Sequence, residues 1–361
     1  MKREREHVLL LYNLPRDATC RPLAAAWKES DAGILDQVNA VAGALASLGV
    51  PHRMAGIKRL VDLPAVLAAS PERIVFNLVE SIHDRPSDAN FVPAICRAYG
   101  KSCTGNDTHS LMFALDKWLT NAMLRAAGLS CPAGVRVPPG GRLRAADLPA
   151  PPYIVKPVSS DASEGIDARS VVAKFGPALR AAVRRIHDTV GQPALVERYI
   201  EGRELNAALL EREGAVEVLA IAEIDFSAFG PDRPRIVDYA AKWLPDSFEF
   251  QNTPRRIPAE LTARQAEAVR RCALGAWHAL RCRDYTRVDL RLTPKGEPVI
   301  IEVNPNPDIT PEAGFWTALT AAGIPYEQFV RILLDNALAR LAAAEETPVP
   351  FAIRSKRKID A

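Results

Sequence analysis

A stretch near the carboxyl end of the chain combines two acids, an arginine and an asparagine at spacings that suggest a metal site. Residues 294–296 read Pro-Lys-Gly, which is typical of a β-hairpin turn between two alternating apolar and polar runs. A turn centred there places Asp289 opposite Glu302 and Arg287 opposite Asn304, all on one face. The other face is expected to hold Val288, Leu290, Ile301 and Val303. Two opposed carboxylates repel each other, and a hard divalent cation with oxygen ligands would compensate them.

The same hairpin face is also compatible with a solvent-exposed surface of mixed charge, on which Arg291 offsets the two acids. Three lysines favour the metal site, because only 11 of the 46 basic residues are lysine. Lys117 lies in a run with helical spacing, Lys156 ends an apolar strand, and Lys242 ends a Tyr-Ala-Ala-Lys sequence. Residues 159–165 are mostly small, so their backbone N–H groups could close over phosphate oxygens. Each lysine alone would be read as a surface residue, but lysines and a bridging cation recur together in phosphoryl transfer.

The elements that would position these residues alternate between strands and helices. Residues 7–12 and 73–78 have the apolar runs of buried parallel strands, and residues 34–48 have helical spacing. This pattern predicts an open α/β sheet up to about residue 105, with ligand-binding loops at its strand ends. Further helices are predicted over 107–127, 176–189, 258–281 and 329–345, and further strands over 153–156, 194–197, 286–292 and 298–303.

Composition limits the class of protein. The chain has 361 residues, 48% apolar and 25% charged, which is typical of a soluble globular protein with two or three domains. A net charge of +3 is too balanced for a protein that neutralises nucleic-acid phosphates. No apolar run approaches the roughly 20 residues that span a bilayer. The six cysteines show neither zinc-site nor disulfide-framework spacing. A cytoplasmic protein without zinc, nucleic-acid or membrane partners is expected.

Six motifs in order resemble the ATP-grasp superfamily and, within it, the D-alanine–D-alanine ligase branch. They are Lys117, the Val-Lys-Pro of 155–157 with its loop, VERYIEGRE at 196–204, YAAK at 239–242, RVD at 287–289 and IEVNP at 301–305. Residues 76–78, 104–107 and 114–117 also resemble the amino-terminal half of that branch. The resemblance covers roughly residues 70–340.

The resemblance implies a fold of mixed α/β and α+β class, the three-domain ATP-grasp fold. Its expected parts are a Rossmann-like amino-terminal domain over 1–106, a central lid domain over 107–200 and a catalytic domain over 201–346. A basic tail at 347–361 would follow. A homodimer is expected by analogy with the family.

The resemblance also implies how ATP and magnesium would be held. Lys117 and Lys156 would contact the α- and β-phosphates, Lys242 the β- and γ-phosphates, and Glu204 the ribose hydroxyls. The adenine segment and the phosphate-covering loop would be Glu197, Arg198, Tyr199 and Ile200, and Ser163 and Gly165. Two Mg²⁺ ions would be bound by Asp289, Glu302 and Asn304. Arg287, with Lys242 as the second catalytic cation, would stabilise charge on an acyl phosphate and the tetrahedral intermediate that follows.

The part of the site that would receive the second substrate departs from the family pattern. In the family a Ser-Leu pair falls here, and its serine holds the second substrate's carboxylate; this chain has Ala313 and Gly314 instead. Glu312 adds a negative charge beside them, and Asp308 replaces a small glycine of the family. A site that has lost a hydroxyl and gained an acid should disfavour a plain amino acid as the nucleophile.

The part of the site that would receive the first substrate differs as well. A Ser-x-Glu segment binds the ammonium group in the family, whereas residues 28–33 here offer Glu29 or Asp31. The family histidine that follows Phe-Asn-Leu, here residues 76–78, is absent, and Glu80 or His83 could face the substrate instead.

The sequence therefore predicts an ATP-dependent, ADP-forming carboxylate–amine ligase that works through an acyl phosphate. Its substrates would be small and amino-acid-like, and its product a dipeptide or amide of a specialised pathway. One alternative is the D-alanine–D-alanine ligase of cell-wall synthesis. Alternatives from other classes are an ATP-binding regulatory protein without turnover and a kinase with no amine step.

Overall fold

The amino-terminal part of the chain is a parallel sheet with helices around it. The computed structural model describes residues 7–15, 28–83, 85–160 and 163–346; the basic tail expected at 347–361 lies outside these ranges. The strands β1 (Val8–Asn13), β2 (His52–Ile57), β3 (Ile74–Leu78) and β4 (Ser102–Cys103) have the order β2-β1-β3-β4. The helices are α1 (Lys28–Ser47), α2 (Leu63–Ala68) and α3 (Val92–Ala98). The parallel sheet predicted from the apolar runs is confirmed.

The middle of the chain forms two short helices and an antiparallel sheet. The helix predicted over 107–127 is two helices, α4 (Thr108–Leu115) and α5 (Lys117–Ala126). The chain leaves helical geometry at Asp116, whose carboxylate accepts the Leu119 N–H and so begins α5. The strands β5 (Gly134–Val137), β6 (Tyr153–Pro157), β7 (Val171–Val172) and β8 (Ala194–Arg198) have the order β5-β8-β6-β7, with α6 (Pro177–Val190) alongside.

The carboxyl-terminal part is a five-stranded antiparallel sheet. Its strands β9 (Arg203–Arg212), β10 (Ala215–Ile224), β11 (Arg255–Arg256), β12 (Tyr285–Leu292) and β13 (Pro298–Asn304) have the order β11-β10-β9-β12-β13. The helices are α7 (Tyr239–Trp243), α8 (Phe248–Gln251), α9 (Ala263–Ala279), α10 (Gly314–Ala321) and α11 (Tyr326–Glu346). The helix predicted from residue 258 begins only at 263, because the Thr262 side chain accepts the Gln265 N–H there.

The β12–β13 hairpin has the predicted register at its functional end. Arg287 lies opposite Asn304 and Asp289 opposite Glu302, which confirms the prediction. Nearer the turn the pairing shifts by one residue, so that Leu290 lies opposite Ile300. The expectation that Ile301 fills the core face is therefore wrong. The bulge buries Ile300 completely and leaves Ile301 half-buried.

One hydrophobic core joins the first and third sheets. Phe76 of β3 belongs to the same buried cluster as Tyr285 of β12 and Phe329 of α11. The central sheet has a separate core, which contains Val155 and Val196. The predicted domain boundaries at 106 and 200 and the predicted homodimer stay predictions. Within the described ranges, no helix is long and apolar enough to cross a membrane.

Candidate active site

The three sheets border one large cleft with a volume of about 1220 Å³. Most residues singled out in the sequence lie in its wall. They are Lys117, Lys156, Ser163, Glu197, Arg198, Tyr199, Ile200, Glu204, Lys242, Arg287, Asp289, Glu302, Asn304, Glu80, Asp308, Glu312 and Gly314. The cleft is large enough for a nucleotide together with small substrates.

Asp289 and Glu302 lie side by side on the cleft face of the hairpin. Asp289 is almost completely buried and accepts two hydrogen bonds from Arg287, at 2.7 and 2.8 Å. Asn206 donates a third at 2.7 Å. Arg291 is also buried and pairs with Glu204, so the alternative of an exposed hairpin face with Arg291 offsetting its acids is wrong.

Cations surround the Glu302 carboxylate. Lys117 Nζ lies 3.3 Å from Glu302 Oε1. Desolvation in the cleft would raise the pKa of Glu302, but Lys117, Lys242 and Lys156 hold that pKa well below its usual range. Glu302 is therefore ionised at neutral pH and available as an oxygen ligand.

The donor set fits a hard divalent cation. The two neighbouring carboxylates and the amide of Asn304 offer oxygen ligands on one face. No group of three His, Cys, Asp or Glu side chains suited to a metal occurs among the residues the structure describes. A cation held by this hairpin would thus need additional oxygens, which phosphate groups can supply.

Lys117 is held in place by both its backbone and its side chain. It is the first residue of α5, and its backbone N–H donates to the carbonyl of Val158 at 2.9 Å. Its ammonium group donates to the carbonyl of Ser160, in the loop that follows β6. The start of α5 and the loop after β6 therefore fix the same lysine.

Lys156 and Glu197 form a buried pair in the wall of the cleft. Their charged atoms are 2.7 Å apart, and only 1% of Glu197 is exposed. Asn121 of α5 donates a hydrogen bond to the other Glu197 oxygen. The two charged residues lie on neighbouring strands, Lys156 on β6 and Glu197 on β8. In the register of these strands, Lys156 lies opposite Leu195 and Ile154 lies opposite Glu197.

Glu204 lies beside the hairpin in a second buried pair. Arg291 Nη2 lies 2.7 Å from a Glu204 carboxylate oxygen, and burial raises the pKa of Glu204 despite that arginine. The Arg291 guanidinium also lies 5.6 Å from the centre of the Tyr199 ring, so the segment that follows β8 and the hairpin are in contact.

The small-residue loop closes one side of the cleft. Ser163 lines it, and its hydroxyl donates to the carbonyl of Val237 at 2.9 Å. Gly165 has a φ of +75° and packs behind the wall, where an added Cβ would lie 3.0 Å from Val190. Residues 161 and 162 of this loop lie outside the described ranges.

The residues expected to contact the first substrate do not all line the cleft. Glu80 lines the cleft and accepts a hydrogen bond from Gln37 at 2.7 Å. His83 does not line it; its Nε2 lies 2.8 Å from the carbonyl of Leu14. Glu29 is in the first turn of α1, and its side chain, like that of Asp31, lies outside the described part of the structure.

The loop between β13 and α10 forms the opposite wall. Asp308 accepts hydrogen bonds from the backbone and hydroxyl of Thr310, and Glu312 has a φ of +74°. Gly314 begins α10 and touches the guanidinium of Arg255, a residue that sequence reasoning missed. The sequence offered no signal for Arg255, because two adjacent arginines in a loop resemble an ordinary charged surface.

Comparison with known proteins agrees with this architecture. Residues 147–335 match the family model for the D-ala D-ala ligase C-terminus. An uncharacterized protein of Sinorhizobium fredii is 31% identical over 77% of this chain and 78% of its own length. The D-alanine–D-alanine ligase of Mycobacterium tuberculosis is 30% identical over 85% of this chain and 79% of its own.

Solved structures give the same fold. The D-alanine–D-alanine ligase from Bacillus anthracis complexed with ATP covers 94% of this chain and 99% of its own, with a TM-score of 0.72 and 19% identity. The VanG D-Ala:D-Ser ligase from Enterococcus faecalis covers 92% and 100%, with a TM-score of 0.69 and 18% identity.

Fold and site together define an ATP-grasp enzyme, an ADP-forming ligase that makes carbon–nitrogen bonds. More narrowly, the chain belongs to the D-alanine–D-alanine ligase family.

Proposed function

We propose that this protein joins the carboxyl group of one small amino-acid-like substrate to the amine of another, using ATP and two Mg²⁺ ions. The observation that carries the proposal is the pair Asp289 and Glu302, surrounded by Lys117, Lys242 and Arg287 in one cleft. These cations are the residue types that the family uses to bind ATP, and the two carboxylates are those that it uses to bind magnesium. The product is a dipeptide or a related amide.

The first step would activate the acid. An oxygen of the substrate carboxylate attacks the terminal phosphorus of ATP, and the bond from that phosphorus to the bridging oxygen breaks, which releases ADP. Asp289, Glu302 and Asn304 would hold Mg²⁺, which would supply charge neutralisation for the transferring phosphoryl group. Lys117 and Lys242 would offset the remaining phosphate charge. The loop at 159–165 excludes water that would hydrolyse the acyl phosphate.

The second step would form the new bond. The amine nitrogen attacks the acyl carbon, phosphate leaves, and the nitrogen loses a proton. Arg287 stabilises the oxyanion of the tetrahedral intermediate. Because Arg287 is now bound to Asp289, a cation at Asp289 would compete with this ion pair and make the guanidinium available to the substrate.

D-alanine–D-alanine ligation is a second candidate, favoured by the names of the relatives and solved structures. The absence of the Ser-Leu pair at Ala313 and Gly314 supports a different pair of substrates. The two candidates differ only in the substrates used, so one set of assays separates them.

The proposal is tested by ADP release with Mg-ATP over a matrix of D- and L-amino acids, singly and in pairs. We expect one pair to give ADP and the Glu302→Gln variant to lower the rate at least about 100-fold, because a metal ligand is lost. Glu297→Gln, an exposed acid in the turn of the same hairpin, is the matched control and should leave the rate unchanged.

Two results would oppose the proposal. ATP binding without ADP release for any pair would favour the non-catalytic alternative. ADP release from a single acid, with no hydroxamate when hydroxylamine is present, would indicate a kinase that makes no acyl phosphate.

A further inference from the structure

Arg255 occupies space that a side chain at position 314 would otherwise fill. It lies on β11, opposite Ile224 of β10, at the edge of the carboxyl-terminal sheet. A Cβ added to Gly314 would lie 3.1 Å from Arg255 Nε and 3.2 Å from its Cζ, closer than ordinary contact. The glycine therefore permits the guanidinium to pack against the start of α10.

Among the residues that the structure describes, no carboxylate pairs with the Arg255 guanidinium. Neighbouring Arg256 pairs with Asp225, and Arg287 pairs with Asp289. For Arg255, no acid of the described residues lies within the 4 Å of an ion pair. Desolvation and Arg287 lower the pKa of Arg255, but a guanidinium remains charged at any physiological pH. Arg255 is exposed and lines the cleft, and Asp289 and Asp308 act on its charge only from beyond ion-pair distance, so its guanidinium can approach a bound anion.

The surroundings of this charge favour an anion. A small cavity of about 10 Å³ is lined by both Arg255 and Arg287 and by no acidic side chain. Gly314 and Ala318 of α10 form another wall of it. Gly314 is the first residue of that eight-residue helix, and no side chain caps its start. The positive end of the helix and two guanidinium groups therefore converge on one side of the cleft.

We propose that Arg255 binds the carboxylate of the second, amine-bearing substrate, in place of the hydroxyl missing at Ala313. The proposal rests on the proposed ligase function and specifies its acceptor class. A guanidinium can bind a carboxylate with two parallel hydrogen bonds, which is a stronger and more selective contact than one hydroxyl provides. The acceptor is accordingly an amino acid with a free carboxylate, contrary to the expectation from the changed loop alone.

The test compares each amino-acid acceptor with its carboxamide, using ADP release from the full-length protein. We expect the wild-type protein to prefer the free amino acid. Arg255→Ala should raise the KM for that acceptor at least about tenfold, as expected for a lost charge-assisted contact. The KM for ATP and the KM for the carboxamide should stay unchanged. Arg256→Ala, one residue along β11 and paired with Asp225, is the matched control.

A second variant reaches the same contact without removing the arginine. Gly314→Ala adds a Cβ 3.1 Å from Arg255 Nε, so the guanidinium must shift by a few tenths of an ångström; the variant should weaken binding of the same acceptor and leave ATP binding unaffected. Wild-type preference for carboxamides, or equal effects of Arg255→Ala and Arg256→Ala, would overturn the proposal. No ADP with any acceptor would instead refute the ligase function, and this inference would fall with it.

Discussion

At the scale of single residues, the site is a balance of buried and half-buried charges. Asp289 is compensated by Arg287, and Glu302 by Lys117 at 3.3 Å. Lys242 has no ion pair within the described residues, and desolvation lowers its pKa although Glu302 raises it. The charge of Lys242 therefore depends on pH below the usual titration range of a lysine.

The pKa of Lys242 predicts an alkaline limit to ATP use. A lysine with a lowered pKa loses its proton below pH 10.5, so kcat/KM for ATP should fall with rising pH before that value. Arginine keeps its charge to much higher pH, and Lys242→Arg should move the falling limb upward. Exposed Lys174→Arg is the control. The pH profile of kcat/KM for ATP is measured from pH 7 to 10.5. If its alkaline fall lies at the same pH in Lys242→Arg as in the wild type, another group titrates there.

At the scale of elements, the start of α5 sets the position of Lys117. The Asp116 carboxylate accepts the Leu119 N–H at 2.9 Å, and this cap interrupts what would otherwise be one long helix. Lys117 consequently follows the break and reaches both Ser160 and Glu302. A local capping interaction therefore positions a residue of the site.

Removal of this cap should affect stability and ATP binding together. Asp116→Ala should lower the free energy of unfolding by about 1 kcal/mol, the usual cost of a lost N-cap. It should also raise the KM for ATP, because Lys117 loses its support. Thr262→Ala removes a comparable cap from α9 and should lower stability without changing that KM. Urea unfolding measures the free energy of unfolding, and initial rates measure the KM for ATP. Equal KM values in Asp116→Ala and Thr262→Ala would contradict the role of Asp116.

At the scale of the whole molecule, Asp284 joins the first sheet to the third. It is completely buried and accepts hydrogen bonds from Arg340 at 2.7 and 2.9 Å. The Gly105 N–H, just after β4, donates to it at 2.6 Å, and Asn336 of α11 donates at 3.1 Å. One carboxylate therefore holds together the parts of the chain that border the cleft.

Loss of this charge should destabilise the protein strongly. Asp284→Asn tolerates the φ of +59° at this position, but leaves Arg340 without its counter-charge. We expect the free energy of unfolding to fall by about 3–5 kcal/mol. Asp335→Asn breaks the exposed ion pair with Arg331 and should cost about 0.5 kcal/mol or less. Similar losses in the two variants, measured by urea unfolding, would contradict the argument.

The register of the β12–β13 hairpin could be predicted because its signals are local. The two-residue period of strands and the Pro-Lys-Gly turn are sufficient to place Asp289 opposite Glu302. The apolar run at residues 7–12 is likewise sufficient to indicate a buried parallel strand. Both the hairpin register and the buried strand depend on residues that are close along the chain, because backbone geometry allows short segments few conformations.

The pairing of those charges depended on contacts between distant parts of the chain. No spacing predicts that Lys156 binds Glu197, that Arg291 binds Glu204, or that Arg255 packs on Gly314. The bulge at Ile301 also escaped prediction, because it follows from how β13 meets the turn and the core. The sequence by itself determined the fold class and the class of enzyme, and it singled out most of the side chains that line the cleft. Only the tertiary structure decided which charges neutralise each other and which, like Arg255, lie in no ion pair of the described residues, since burial and distance exist only in the folded chain.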